Sequence, residues 1–213
     1  MHKISHWIAG GLIGICASAA HAVPVISLSA SGVTTTAIAG ATTINFDNGL
    51  CGYSTCSGNY QIVSGSVSGQ YAQPAGTNSP YLTVPNPVSN GTANFSLGTQ
   101  ANYFGLFWGS IDTYNTISFL LNGTVVASYS GAQFPPLLAN GGQTGDMSNR
   151  YINFEFVNGE MFDAVRFTST NFAFESDNHS YRAVSGGSVP APGPLALFGL
   201  GLAALRLRGR RTA

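Results

Sequence analysis

Apolar and polar side chains alternate in short bursts through the middle of this chain. In TISFLLN (116–122), Ile117, Phe119 and Leu121 alternate with polar or small neighbours, and Asn122-Gly123 follows as a two-residue hairpin turn. TVVASYS (124–130) is then the returning strand. YINFEFV (151–157) sets Ile152, Phe154 and Phe156 on one face and Tyr151, Asn153 and Glu155 on the other. A second turn, Asn158-Gly159, leads into MFDAVRFTS (161–169), and NFAFESD (171–177) directs Phe172 and Phe174 inward. Earlier bursts lie in VISLSA (25–30), TTINF (42–46), YQIVSGSVS (60–68), TANFSL (92–97) and NYFGLFWG (102–109). No stretch of useful length in this body has a helical period. About ten short strands separated by turn residues predict an all-β domain over residues 23–186, an antiparallel β-sandwich of jelly-roll or lectin-like type.

Two stretches break the pattern. Residues 70–90 hold prolines at 74, 80, 85 and 87 and predict a long loop with at most one edge strand. Residues 131–149, with Pro135-Pro136 and Gly141-Gly142, predict a second irregular connection. Long loops on a rigid sandwich are where binding residues concentrate, and they are also ordinary surface connections.

Composition supports strands over helices. Only 8% of the 213 residues are charged, against about a quarter in ordinary soluble domains. The formal net charge of zero conceals a division along the chain. Arg206, Arg208, Arg210 and Arg211 cluster in the tail and Lys3 stands at the start, which leaves Arg150, Arg166 and Arg182 in the body. All eight acidic residues lie in that body, which therefore carries a formal charge of −5 and no lysine. A basic patch for nucleic acid is excluded there.

The two ends have the composition of targeting segments. Residues 1–22 begin with Lys3, continue through an apolar core too short for a membrane span, and end Ala20-His21-Ala22. This is the small-x-small pattern before a signal-peptidase cut, placed after Ala22. At the other end, VPAPGPLALFGLGLAALRLRGRR (189–211) contains an uninterrupted apolar run of 11 residues. As a helix it would reach about 16 Å, roughly half of a hydrocarbon core of about 30 Å. Prolines at 190, 192 and 194 can precede a helix but not sit inside it. The closing arginines favour a cytoplasmic end.

Pro-x-Pro, a short apolar run and a terminal arginine cluster together resemble the PEP-CTERM sorting signal. Residues 187–213 correspond to it through Val189, Pro190, Ala191 and Pro192 and the Gly199-Leu200-Gly201-Leu202 core. The family usually has Glu where this chain has Ala191. The resemblance implies transient retention in the inner membrane by the tail. It also implies processing by an integral-membrane exosortase, then delivery to the cell surface or extracellular matrix. In the body, 103–131 and 162–182 resemble a recurrent core of one group of exosortase-dependent surface proteins, where Phe-Glu-x-Asp-Asn is common near the end; here that motif is Phe174 to Asn178. The implied partners are signal peptidase, the exosortase, the inner membrane and exopolysaccharide. The implied role is structural or adhesive, with a carbohydrate-binding module and a secreted hydrolase as alternatives.

Several residue groups bear on chemistry. Cys51 and Cys56 form an even pair once Cys16 leaves with the signal peptide, so an oxidising compartment predicts a disulfide. INFDNG (44–49) and FESDNH (174–179) lie near opposite ends of the body, and first and last strands are neighbours in many jelly rolls. Such pairing would assemble Asp47, Glu175 and Asp177 with amide oxygens into a Ca²⁺ site, although Asp-Asn-Gly is also a common turn sequence. SIDTYN (110–115) follows an aromatic strand, so Trp108, Tyr114 and Phe107 would make a sugar-stacking platform beside Asp112 and Asn115. By alternation, Phe104, Leu106 and Trp108 would instead fill the core. No catalytic set is legible: His179 is the body's one histidine, and Gly65-Ser66-Val67-Ser68-Gly69 has Val67 at the nucleophile position.

Overall fold

The computed structural model describes residues 22–184. Ala20 and most of the signal segment, the sorting motif and the arginine cluster lie outside the described residues. Among those described, no helix is long and apolar enough to cross a membrane.

The described residues are all-β, and eleven strands among them join in one antiparallel hydrogen-bonded network. In chain order they are β1 (Val25–Leu28), β2 (Thr42–Ile44), β3 (Thr55–Gly58), β4 (Gln61–Val63), β5 (Tyr81–Val84), β6 (Gly91–Gly109), β7 (Asn115–Leu121), β8 (Thr124–Ser130), β9 (Arg150–Glu155), β10 (Phe162–Ser169) and β11 (Phe174–Ala183). One 3-10 turn, Gly131–Gln133, interrupts them.

The long strand β6 turns this network into a sandwich. Its first half pairs with β3 and β10, and β10 continues to β7 and β8. Its second half pairs with β11 and β9, which carry β5, β4, β2 and β1 outward. The sequence predicts two strands, 92–97 and 102–109; they are one strand that changes layers. The change occurs where Gly98 has φ 72° and the β10 register shifts between Phe162 and Ala164, the local twist that a bulge supplies.

Alternation aims aromatic rings into the space between the layers. Phe104 from the second layer meets Phe119 from the first at 5.8 Å, and Phe119 meets Phe154 at 5.0 Å. Phe167 on β10 meets Phe174 on β11 at 4.9 Å. These rings are fully buried, and each well-placed pair adds about 0.5–1.5 kcal/mol beyond the area it buries. A bulge on β11 sets Asn178 and His179 against Leu106, because the β6 register shifts between Asp177 and Ser180. That extra residue turns His179 into the core, where its ring stacks on Phe167 at 5.2 Å.

The 70–90 region differs from its sequence expectation. Tyr81–Val84 is an interior strand, bonded to β4 on one side and β11 on the other, with all four residues buried. Pro80 and Pro85 flank it, so neither interrupts its ladder. β3 (Thr55–Gly58) had no alternation to reveal it. Its Cys56 forms the expected disulfide with Cys51, with the Cα atoms 6.6 Å apart.

The second layer also has a buried outer face. The 29–41 segment covers part of it: the Thr36 hydroxyl meets the Tyr103 hydroxyl at 2.7 Å, and Tyr103 donates to Asn153 at 2.7 Å. The 64–80 segment covers another part, with the Tyr81 hydroxyl donating to Gly65 O at 2.7 Å. At Gly109 a Cβ would stand 2.7 Å from Pro74, so glycine is what lets this segment lie flat on β6.

Candidate functional site

Where the outer face meets the end of the sandwich, a cavity of about 680 Å³ opens. Its walls come from four connections: 66–72, 110–114, 140–143 and 171–173, with Glu175 at the start of β11. Asn149 ties the 110–114 and 140–143 connections to the segment that runs on from 66–72. Its side-chain oxygen accepts from the N–H of Ala75 at 2.9 Å and of Ser110 at 3.0 Å. Its amide group donates to the carbonyls of Gly142 and Gly145, both at 2.8 Å. A buried amide with every position used fixes loops that have no sheet to hold them.

Two carboxyl groups face this cavity. Glu175 is almost fully buried; it accepts from the N–H of Ala72 at 2.9 Å and the hydroxyl of Ser110 at 3.0 Å. Burial pushes its pKa up to about 8, with the nearby Asp112 charge adding to the rise. At neutral pH Glu175 is therefore mostly a neutral acid with a proton to donate. Asp112 is held by the Tyr114 hydroxyl at 2.7 Å, and partial burial raises its pKa while that hydrogen bond lowers it. Tyr114 also stands 2.8 Å from the Phe172 carbonyl. Gly141 has φ 68°, and a Cβ there would collide with the Asp112 carboxylate, so the floor of the cavity requires glycine at 141. Among the described residues, no Lys, Arg or His lines this space.

The predicted site residues divide. Asp112 and Tyr114 line the cavity. Trp108 does not: it faces the core with no exposed surface, stacked on Phe174 at 4.1 Å and 12°. The alternation of β6 places it there, so the sugar platform is corrected at this position and the core reading holds. Its indole nitrogen is buried without a hydrogen-bond partner among the described residues. Asn115 is also buried; its amide donates to Ala173 O at 2.9 Å and its oxygen accepts from Ser169 at 2.6 Å. It braces the cavity wall from behind. Phe172, expected inward, is half-buried on the cavity wall, because β11 begins only at Phe174.

The expected pairing of early and late strands is present, with β2 along the second half of β11. It does not gather three carboxylates. Asp177 accepts from the N–H of Asn178 at 2.7 Å and from Ser79 at 3.1 Å, while Glu175 is engaged by Ala72 and Ser110. Burial raises Asp177 to about 6, and the Asp47 charge contributes to the rise. Asp47 itself is exposed and bonded to Asn45. Among the described residues, no group of three His, Cys, Asp or Glu side chains is placed to hold a metal ion. The proposed calcium set is thus not gathered: Glu175 and Asp177 sit on β11 with their oxygens engaged, and Asp47 is in the exposed turn after β2. His179, 2.6 Å from the Tyr53 hydroxyl and 2.9 Å from that of Ser176, is depressed to about 3 by burial and stays neutral.

Sequence reasoning did not find Ser110, Asn149, Asn140 or Gln143, or the meeting of Glu175 with Asp112. The one signal available was the length of the 70–90 and 131–149 connections, and both contribute to the site.

No protein-family model and no curated protein matches the chain. Four solved chains match it structurally. One comes from work on glycan recognition in the Ruminococcus flavefaciens cellulosome; it has 12% identity and a TM-score of 0.33, over 70% of this chain and 98% of that one. Another is the K2 cleaved adhesin domain of Lys-gingipain, with 15% identity and a TM-score of 0.35, over 74% of this chain and 99% of that one. At this level of likeness neither alignment bears on ligand or role.

Proposed function

We propose that this chain is an exported cell-surface or matrix protein whose sandwich binds neutral glycan in the cavity beside Asp112 and Glu175. Its tail holds it in the inner membrane until an exosortase-type enzyme processes it. The cavity lining carries the binding part of this reading. Hydroxyls of Ser66, Ser68, Ser110 and Tyr114 and amides of Gln70, Asn140 and Gln143 stand around a space large enough for a short oligosaccharide. Tyr71 and Phe172 add aromatic surface on the same walls, the kind of face on which a sugar ring stacks.

The charge pattern selects among glycans. Asp112 is a carboxylate acceptor for sugar hydroxyls, and protonated Glu175 is a donor. With no cation in the lining, a uronate would meet the Asp112 charge unpaired. Neutral hexose polymers fit this balance.

A glycan array with the intact exported protein tests the binding reading. Saturable binding to neutral glycans, lost in Asp112→Asn, is expected; a flat array overturns it. Mass spectrometry of the mature protein from its own cells tests the sorting reading. A C-terminus lacking Arg206, Arg208, Arg210 and Arg211 is expected, and an intact one overturns it.

A further inference from the structure

The strand registers separate the sandwich into two ends with different inhabitants. β11 starts at Phe174, beside the cavity, and runs to Ala183. Ten residues at about 3.3 Å each make the distance between its ends roughly 30 Å. Val184 follows, its N–H bonded to Gln100 O at 3.0 Å, so the last described residue lies at the end away from the cavity. The N-terminal side arrives at the same end. Val25 pairs with Glu155, at the far end of β9 from Arg150, which pairs with Trp108 near the cavity. Ala22 N–H bonds to Val126 O at 2.9 Å, and Val23 N–H lies 3.3 Å from a Glu160 carboxylate oxygen.

The connections follow the same division. At the end that holds residues 22 and 184, the chain turns at Asn122-Gly123 and at Asn158-Gly159, each residue at positive φ. At the cavity end one connection, 131–149, is long. The 131–149 loop gives Asn140, Gly141 and Gln143 to the cavity wall.

We propose that these two ends serve two partners at once. The end with the chain exits faces the membrane and its processing enzyme. The cavity faces outward to a glycan, so the protein binds polysaccharide while its tail still holds it. This rests on the function proposed above. The tail then acts as a mount that leaves the site open, and its removal releases a binder already competent.

Exposed positions at the two ends supply the test: Gln143 on the cavity rim and Val157 at the exit end. Single cysteines, Gln143→Cys and Val157→Cys, are placed in the full mature chain with its tail. The chain is studied in detergent and in vesicles of phosphatidylethanolamine and phosphatidylglycerol. Labelling by a 5-kDa polyethylene-glycol maleimide is divided by labelling with N-ethylmaleimide on the same sample, which cancels intrinsic exposure. In vesicles the ratio at Val157→Cys should fall at least threefold, and the ratio at Gln143→Cys should stay within about 1.5-fold. An equal or larger fall at Gln143→Cys overturns the proposal. Failure of the chain to float with the vesicles removes the membrane reading beneath it, and the proposal falls with it. In a second arm the unsubstituted chain is titrated with exopolysaccharide purified from the producing cells. Affinities within twofold in vesicles and detergent support the proposal. Tenfold weaker binding in vesicles overturns it. Absence of binding in both states defeats the cavity reading itself, and the proposal with it.

Discussion

β11 has two buried faces, and they follow opposite rules. Inward, Phe174, Ser176 and His179 join a core of rings between the layers. Outward, Glu175 and Asp177 lie under loops, each bonded to a backbone N–H and a serine hydroxyl. The inward face is held by area and shape, and its histidine is satisfied by the hydroxyls of Tyr53 and Ser176. The outward face is held by directed hydrogen bonds to segments that have little secondary structure of their own. Buried carboxyls with raised pKa values occur only on the second face. The contrast teaches that burial alone does not identify the core of this protein; the chemistry of what covers a strand separates scaffold from site.

The largest break in this comparison comes from the inward face. Phe119 contacts Phe104, Phe154, Phe156 and Phe162, and Phe119→Ala should cost about 4 kcal/mol in denaturant unfolding. Removing the disulfide with Cys51→Ser and Cys56→Ser opens a short loop and should cost about 2 kcal/mol, read as a lower melting temperature under non-reducing conditions.

Glu175 sharpens the comparison through pH. Its folded pKa of about 8 lies above the ordinary 4.5, so within that window the folded state keeps a proton that the unfolded chain has lost. Stability therefore falls as pH rises toward 8. His179 is depressed from 6.5 to about 3 and acts in the other direction, losing stability as pH falls below 6.5. Asp177, raised to about 6, acts in the same direction as Glu175 but mostly below that pH, so between pH 6.5 and 8 the Glu175 effect is the largest of these. The melting temperature should drop by about 5 °C across that interval, and Glu175→Gln should flatten the slope. An unchanged slope in the variant would remove Glu175 as its source. The smallest effect is expected for Tyr114→Phe, which loses the hydroxyl shared by Asp112 and the Phe172 carbonyl. About 1 kcal/mol of stability should go, with a larger proportional loss in glycan binding.

The inward face was legible in the sequence because its cause is periodic. Phe104, Leu106 and Trp108, or Ile152, Phe154 and Phe156, announce their side of the strand by spacing alone. The outward face was not, because its burial comes from segments distant in the chain. Nothing near Glu175 indicates that Ala72 and Ser110 will cover it. The bulge at Asn178 also escaped, and one extra residue was enough to turn His179 from the outer face into the core. SIDTYN was half legible: Asp112 and Tyr114 reach the cavity, while Trp108 and Asn115 obey packing. Tyr81–Val84 was hidden by its prolines, which mark the limits of an interior strand where they suggested a loop.

The central claim is that the outward face, at its open end, binds neutral glycan. Calorimetric titration of the intact exported protein and its Asp112→Asn variant with neutral exopolysaccharide fragments tests it most directly. The account predicts saturable binding that weakens at least tenfold in the variant, with the melting temperature nearly unchanged. Equal binding by both proteins, or no heat from either, would contradict it.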